Sequence, residues 1–235
     1  MQVKIFRSVW GLENLAGAEE RLRYIKEAGF HGVEGPTPSM QPDQWQQLCK
    51  GYGLEYIGMI TAADAGTFQR EVERVCAYGP ILVNAQGGLD RMGFRDGCRY
   101  LLQALKVERE MGIPIAHETH RGRLLYAPWV TVQYLEEFPE LKVCADFSHW
   151  CVVCESLLQP VEESLEVACD HAVHIHARVG YEDGPQVPDP RAPEYEPYLS
   201  RFESWWDQIY QARKAAGAPY LTVTPEYGPP PYLHT

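Results

Sequence analysis

The stretch Ala172–Val179, with the sequence Ala-Val-His-Ile-His-Ala-Arg-Val, alternates apolar and ionisable side chains. Successive residues of a β-strand point to opposite faces, so His174, His176 and Arg178 share one face and the apolar residues share the other. In a parallel sheet the apolar face packs against helices, which turns the two histidines inward. The stretch therefore predicts a strand of a parallel sheet whose inner side is polar at one end.

Similar short apolar runs alternate with amphipathic stretches along the whole chain, which is the pattern of β-α units. Helical patterns lie near residues 17–28, 41–50, 67–77, 95–111, 128–137, 160–168 and 198–215. Eight strand-helix repeats close most naturally into a barrel. We predict one domain over residues 1–235, an α/β fold of the (β/α)8 TIM type. The predicted strands are Val3–Val9, Gly32–Gly35, Leu54–Thr61, Ile81–Ala85, Ile113–Thr119, Leu141–Phe147, Ala172–Val179 and Tyr220–Glu226.

Two stretches depart from the repeat. Residues Gly180–Pro197 contain five prolines and no apolar period, which predicts a long loop after strand seven. Within it, Gly184–Pro188 fits either a structured lid or a plain surface loop. The sequence also stops nine residues after Glu226, so the final helix of the outer ring is expected to be missing. An uncovered eighth strand would favour a homo-oligomer.

Composition disfavours several classes of protein. The formal net charge is −11 and Lys and Arg are not clustered, which argues against a nucleic-acid partner. No export signal and no run of eighteen apolar residues is present, so we expect a cytoplasmic protein without a membrane partner. The seven cysteines, an odd number, predict reduced thiols, and Cys151 and Cys154 are interpreted as packing residues despite their redox-like spacing.

Four consecutive predicted strands end in carboxylate or imidazole side chains, and a barrel brings such ends together at one rim. The endings are His117–His120, Asp146–His149, His174–Arg178 and Pro225–Gly228. On strand eight, Leu221 and Val223 face outward and leave Glu226 inward. Burying unpaired carboxylates is costly, and a divalent cation would offset that cost. Three carboxylates and one imidazole suit Mn²⁺, Mg²⁺, Co²⁺ or Zn²⁺, with open positions for substrate oxygens.

The order Glu, Asp-x-x-His, His-x-His and Glu on strands five to eight resembles the xylose isomerase-like superfamily of barrels. That group includes ketose 3-epimerases, hydroxypyruvate isomerase, inosose dehydratase and endonuclease IV. The resemblance implies one divalent metal held by Glu118, Asp146, His176 and Glu226. It also implies that Glu118 and Glu226 act as the catalytic base and acid on the substrate carbon, through an enediolate. His149 would contact the substrate or a second metal.

Other residues are candidate contacts with a small-molecule substrate. Arg178 would hold a substrate oxygen by a forked hydrogen bond, or else pair with loop acids such as Glu182 or Asp183. His120 would also bind substrate. Ketose epimerases of the resembling family usually carry another glutamate where this chain has Leu124, so substrate recognition differs. Minor candidates to line the pocket end the earlier strands: Trp10, Glu34, Asn84 and Gln86.

The leading hypothesis is a metal-dependent isomerase or epimerase of a small polyhydroxy carbonyl compound, such as a sugar or sugar acid. A metal-dependent dehydratase would begin with the same proton abstraction, and the sequence does not separate the two. An endonuclease IV-like phosphodiesterase would need a trinuclear zinc site with extra histidines on early strands, where Asn84 and Gln86 stand instead. A non-catalytic sugar-binding barrel is the remaining alternative, which the complete ligand set disfavours.

Overall fold

The structure is a computed structural model that describes residues 1–233. Its centre is a closed barrel of eight parallel strands that pair in chain order, with the last strand pairing with the first. The predicted (β/α)8 TIM-type barrel is confirmed. The strands are β1 Gln2–Ser8, β2 Gly32–Gly35, β3 Glu55–Ala62, β4 Leu82–Gly87, β5 Ile115–Glu118, β6 Lys142–Ala145, β7 Ala172–Ala177 and β8 Tyr220–Pro225.

Eight α-helices surround the barrel, so the expectation of a missing helix is wrong. The connection between β6 and β7 carries two helices, α6 and α7, although no helix follows β8 within residues 1–233. None of the helices in this part of the chain is long and apolar enough to cross a membrane. The helices are α1 Gly17–Glu27, α2 Pro42–Tyr52, α3 Ala65–Cys76, α4 Phe94–Met111, α5 Pro128–Glu137, α6 Phe147–Cys154, α7 Glu162–His171 and α8 Glu196–Ala215.

Helix α3 illustrates how the outer ring docks on the barrel. The Asp64 side chain caps the helix by accepting a hydrogen bond from the Thr67 amide at 2.9 Å. Phe68, Val72 and Val75 recur at helical spacing and are fully buried against the sheet. A Cβ on Gly58 of β3 would lie only 2.4 Å from Val75 Cγ2, so a glycine is needed there for the helix to approach this closely.

Inside the barrel an apolar layer lies directly below a largely polar one. The apolar layer is a cluster of five buried residues: Phe6, Ile57, Leu82, Ala116 and Cys144. Inward positions recur every second residue, so the next positions along β4, β5 and β6 are Asn84, Glu118 and Asp146. The strand pattern itself therefore brings polar side chains together near the carboxyl ends of the barrel.

The outer face of β1 is partly uncovered. Val3 and Ile5 point outward from this strand and are each 40% exposed. In the described chain they lie beside β8, which is the strand without a following helix. Association of two copies through this face stays a prediction.

Candidate active site

The barrel mouth holds a cavity of about 200 Å³. It is lined by every residue predicted to act in catalysis or substrate binding: Glu118, Glu226, His120, His149 and Arg178. The other two predicted metal ligands, Asp146 and His176, are completely buried beside these residues. The strand ends therefore bring together the residues predicted to act in catalysis, substrate binding and metal binding.

His176 is held by hydrogen bonds at one ring nitrogen only. Its Nε2 lies 2.9 Å from Glu34 Oε1, and because a carboxylate can only accept, Nε2 donates. The other nitrogen, Nδ1, is buried without a hydrogen-bond partner among residues 1–233. It lies 3.4 Å from Glu226 Oε1 and 3.9 Å from Glu118 Oε1. Nδ1 is therefore the nitrogen placed to bind a cation between two carboxylates.

The charge of the His176 ring follows from its surroundings. Burial alone would lower the pKa of this imidazole, but the acidic groups around it, Cys144, Glu226, Glu34 and Glu118, raise the pKa well above its usual value. A positive charge at Nδ1 is thus favoured, and a proton or a divalent cation would each supply it. Either one would offset the negative charge of the surrounding carboxylates.

Glu34 connects the two histidines of β7 from the opposite side of the barrel. Its Oε2 lies 3.1 Å from His174 Nε2, and its Oε1 accepts hydrogen bonds from His176 Nε2 and, at 3.1 Å, from Asn84 Nδ2. Burial would raise the pKa of Glu34, but His176 and His174 lower it well below the usual value, so the group is ionised. The sequence analysis gave Glu34 only a minor place. A charged side chain between small and apolar residues of a buried strand was the available sign.

Glu118 is oriented by two amides from β4. Asn84 Nδ2 donates to its Oε2 at 3.0 Å, and Gln86 Nε2 lies 3.2 Å from both of its oxygens. Burial raises the pKa of this carboxyl group, and neighbouring Asp146 adds to that rise against the opposing effect of His176. Its two amide contacts therefore fix the direction in which this carboxyl group faces the cavity.

Glu226 follows β8 directly and is fixed there by its backbone. Its amide donates to Ala177 O at 3.2 Å, and its side chain is almost fully buried. Burial raises the pKa of Glu226, although His176 and Arg178 oppose the shift. Glu118 and Glu226 therefore form a pair of buried carboxyl groups that both approach His176 Nδ1.

Asp146 is tied to Arg178. Its Oδ2 accepts a hydrogen bond from Arg178 Nη2, and its Oδ1 accepts from the hydroxyl and, at 3.2 Å, from the amide of Ser148. Burial would raise the pKa of Asp146, but Arg178 holds it well below the usual value. Arg178 also lies 3.5 Å from Glu226 Oε2. It thus pairs with two predicted metal ligands in the barrel mouth, whereas the alternative of a pair with Glu182 or Asp183 is not formed.

His120 and His149 form a second imidazole pair at the mouth, with ring centroids 3.9 Å apart. Burial lowers the pKa of His120 to about 4 and that of His149 well below its usual value, so both rings are neutral at pH 7. Arg178 Nη2 lies 2.9 Å from His149 Nε2, which must accept because a guanidinium only donates. The pair therefore offers neutral polar groups to a ligand in the cavity.

The donor set fits a divalent cation in most respects. Ligand atoms of Glu118, Asp146 and His176 lie within 4.8 Å of one another. Two other groups meet the same distance: Glu118 with His120 and His149, and Cys144 with His174 and His176. Carboxylates with an imidazole suit a hard divalent ion, and the unpartnered His176 Nδ1 points to the same conclusion. Glu226 is outside the first group, although it contacts His176. A bound ion would also have to share the Asp146 carboxylate with Arg178.

An aromatic wall closes one side of the cavity, and the sequence analysis found only part of it. Trp10 and Tyr232 meet edge to face with centroids 5.0 Å apart, and the Arg178 guanidinium lies 5.9 and 5.7 Å from the two rings. Arg121 Nη2 donates to the Tyr232 hydroxyl at 3.2 Å. Tyr232 lies in irregular chain after β8, where no periodic pattern could mark it.

The long loop after β7 supports the segment that follows β8. Gln186 is buried and exchanges two hydrogen bonds with Gly228, from its Nε2 to the carbonyl at 3.1 Å and from the glycine amide to its Oε1 at 2.6 Å. A Cβ on Gly228 would lie 2.1 Å from the Trp10 ring. The loop therefore packs on the chain that carries Tyr232, and its action as a lid stays a prediction.

Solved structures share this fold. A xylose isomerase-like TIM barrel protein from Mycobacterium smegmatis, in complex with magnesium, has a TM-score of 0.67 at 14% identity over 97% of this chain and 91% of that chain. A sugar phosphate isomerase/epimerase from Parabacteroides distasonis gives 0.64 at 12% identity over 98% and 88%. The probable 3-DHS dehydratase AsbF from Bacillus anthracis gives 0.62 at 17% identity over 95% and 92%. Endonuclease IV from Thermus thermophilus gives 0.59 at 12% identity over 97% and 94%.

These similarities define the class of fold. The chain is a parallel eight-stranded barrel with a polar mouth, and its architecture is that of the xylose isomerase-like TIM barrels. The chain matches no family model and no curated protein sequence. The names of these structural neighbours include an isomerase/epimerase, a probable dehydratase and an endonuclease. The fold alone therefore leaves the reaction open.

Proposed function

We propose that the chain is a divalent-metal-dependent isomerase or epimerase of a small polyhydroxy carbonyl compound, such as a sugar or sugar acid. The observation that carries the proposal is the approach of Glu118 and Glu226 to the unpartnered Nδ1 of His176. The cavity above them, about 200 Å³, is smaller than the ~300–1,000 Å³ typical of sites for drug-sized ligands. It therefore favours a small substrate.

Glu118 and Glu226 supply the two proton-transfer groups. Both line the cavity and approach His176 Nδ1, so one is placed to accept a proton from the substrate carbon and the other to return one. Burial raises the pKa of both carboxyl groups, which favours such proton transfer. Gln86 and Asn84 fix the direction of Glu118 through their amide groups. A divalent ion held by Glu118, Asp146, His176 and Glu226 supplies, when bound, the electrophilic polarisation that acidifies the carbon next to a carbonyl.

Substrate oxygens are bound by the polar groups that line the rest of the mouth. His120 and His149 are neutral and can donate or accept, which suits hydroxyl groups. Arg178 donates only, and its contacts with Asp146 and Glu226 hold it at the cavity wall. The rings of Trp10 and Tyr232 close the wall and would exclude water from the reacting carbon.

A metal-dependent dehydratase is the second candidate. It shares the abstraction of the proton and differs in the destination of the second proton, which goes to a departing β-hydroxyl group. The neutral His120–His149 pair at the mouth favours this candidate, because an imidazole N–H can hold the departing hydroxyl group by a hydrogen bond while one of the two carboxyl groups supplies its proton. A phosphodiesterase of the endonuclease IV kind is less well supported, since Glu34, Asn84 and Gln86 stand at the ends of β2 and β4 and the net charge is −11.

The test is solvent exchange. Mn²⁺-loaded protein is incubated in D₂O with a panel of ketoses, inososes and keto acids, and deuterium at carbon is followed by NMR and mass spectrometry. We expect deuterium in one substrate and its isomer, and a loss of about 100-fold or more in Glu118→Gln and in Glu226→Gln. Product lighter by one water would identify the dehydratase. No exchange with any compound, or full activity in both variants, would contradict the proposal.

A further inference from the structure

A second cavity, separate from the barrel mouth, lies between α1 and α2. Its volume is about 450 Å³, and its apolar walls come from both helices and from β2 and β3. Four large apolar or aromatic side chains form these walls: Leu22, Val33, Trp45 and Tyr56. All four are buried, so the cavity reaches into the packed layer between the helices and the barrel.

Three polar atoms of this cavity are unusual because they are buried without a hydrogen-bond partner in residues 1–233. They are Arg21 Nε, Thr37 Oγ1 and Trp45 Nε1, and all three residues line the cavity. Trp45 is only 4% exposed, so its indole N–H is shielded from solvent. Buried donors in folded proteins normally pair with a protein acceptor, a water molecule or a ligand, so these three atoms mark the polar end of the cavity, where an acceptor group would complete their hydrogen bonds. An indole and a guanidinium only donate, so the group that completes this site must accept.

The charge of the cavity defines the ligand further. Arg21 contributes one positive charge, and no carboxylate of the described chain lies within ion-pair distance of it. Glu13 is near enough for Arg21 to help lower its pKa, after the larger effect of backbone hydrogen bonds. A single cation with an acidic neighbour suits a monoanion better than a dianion. A planar guanidinium also matches the two oxygens of a carboxylate.

We propose that the cavity between α1 and α2 binds a small carboxylic acid with an apolar body. The carboxylate would accept from Arg21, Thr37 and Trp45, and the body would pack on Leu22, Val33 and Tyr56. Inorganic phosphate lacks an apolar part and carries more charge than the site balances. A neutral alcohol of the same shape lacks the acceptor pair that a forked guanidinium recognises.

The site is distinct from the catalytic mouth but shares a wall with it. Val9, Gly35 and Pro36 line both cavities. A Cβ on Gly35 would lie 2.5 Å from Val9 Cγ2, so the two residues are in close contact and close the wall. The Tyr56 hydroxyl holds the same wall by donating to Gly35 O at 3.0 Å and Pro36 O at 3.2 Å. A ligand on Tyr56 therefore lies next to the mouth without touching the predicted metal ligands.

The test uses benzoate as the probe and the indole N–H signals of the full chain as the readout. The six tryptophans give six signals in a ¹⁵N–¹H spectrum, and Trp45→Phe identifies that of Trp45. We expect benzoate to shift the Trp45 signal saturably, with a Kd of about 1 mM or lower. Benzyl alcohol and inorganic phosphate should bind at least about tenfold more weakly.

Variants on α1 and on the loop before α2 separate recognition from folding. Arg21→Met should weaken benzoate binding by about tenfold or more, and Thr37→Val, which keeps the shape of the side chain, by roughly threefold. Arg23→Met is the matched control, because Arg23 lies two residues away on the same helix and is exposed; it should bind benzoate as the parent does. The proposal is overturned if benzoate gives no saturable shift of the Trp45 signal, if phosphate binds as tightly, or if Arg21→Met and Arg23→Met have equal effects.

Discussion

Replacing Glu34 by Gln tests how the barrel prepares His176 to bind a metal. The substitution keeps the shape of the side chain and removes its charge. The amide oxygen can still accept from His176 and Asn84, and the amide NH₂ would face His174 Nε2. The His174 ring can accept there if its proton moves to Nδ1, which lies 3.0 Å from the carbonyl oxygen of Thr222. We therefore expect the fold to survive.

The expected effect is on metal affinity. A hydrogen bond to a charged acceptor contributes ~1.5–3 kcal/mol and a neutral one ~0.5–1.5 kcal/mol. The hydrogen bond that orients the His176 ring is therefore weakened by about 1–1.5 kcal/mol. This corresponds to roughly tenfold weaker binding, at the lower end of the ~10–100-fold effects known for partners of metal-binding histidines.

Mn²⁺ titration calorimetry of Glu34→Gln, with thermal unfolding as a check on the fold, measures this effect. Glu55→Gln is the control, because Glu55 is a half-exposed partner of Lys4 at the start of β3, whereas the predicted metal ligands lie at the carboxyl ends of the strands. The reasoning is refuted if Glu34→Gln binds Mn²⁺ within about twofold of the parent, or if Glu55→Gln weakens binding equally.

Three further variants probe the site and its frame. Asp146→Ala should abolish Mn²⁺ binding. It also leaves the buried Arg178 with only its 3.5 Å contact to Glu226, so the free energy of unfolding should fall by about 3 kcal/mol in urea titrations, the lower end of the cost of breaking a buried ion pair; unchanged stability would show that Arg178 does not depend on Asp146. Gly58→Ala should cost ~1–3 kcal/mol of stability by pushing α3 away, and an unaltered unfolding midpoint would contradict the close packing. Burial, with a smaller effect of Lys142, lowers the pKa of His117 from 6.5 to about 4. As the pH falls from 6.5 to 4, the unfolded chain takes up a proton at His117 before the folded chain does, so the free energy of unfolding should fall in this range. His117→Phe should lose less stability between pH 7 and pH 4 than the parent, and equal losses would rule out this contribution.

The sequence was sufficient to predict which residues of the strands face into the barrel. Alternation along strand eight placed Glu226 inward, and the same pattern on strand seven placed His176 and Arg178 inward. Position along a strand is a local property, so local periodicity is enough to predict it. The count of eight strands followed from the same reasoning.

Contacts across the barrel were beyond local patterns. Glu34 and His176 are 142 residues apart, and nothing on either strand shows that they meet. The pairing of Arg178 with Asp146 depends in the same way on the closure of the barrel. Helix α6 escaped prediction because its residues are mostly apolar and show no amphipathic period, and the predicted strand six extended to Phe147, the first residue of this helix.

The most direct test of the metal site is the coupling between bound Mn²⁺ and the ring nitrogens of histidine. Protein with ¹⁵N-labelled histidine is loaded with Mn²⁺ and examined by pulsed electron paramagnetic resonance. We predict about one ion per chain, coupled to a single imidazole nitrogen, with the coupling lost in His176→Gln and retained in His149→Gln. A coupling that persists in His176→Gln and disappears in His149→Gln, or no bound Mn²⁺ at all, would contradict the assignment of this site.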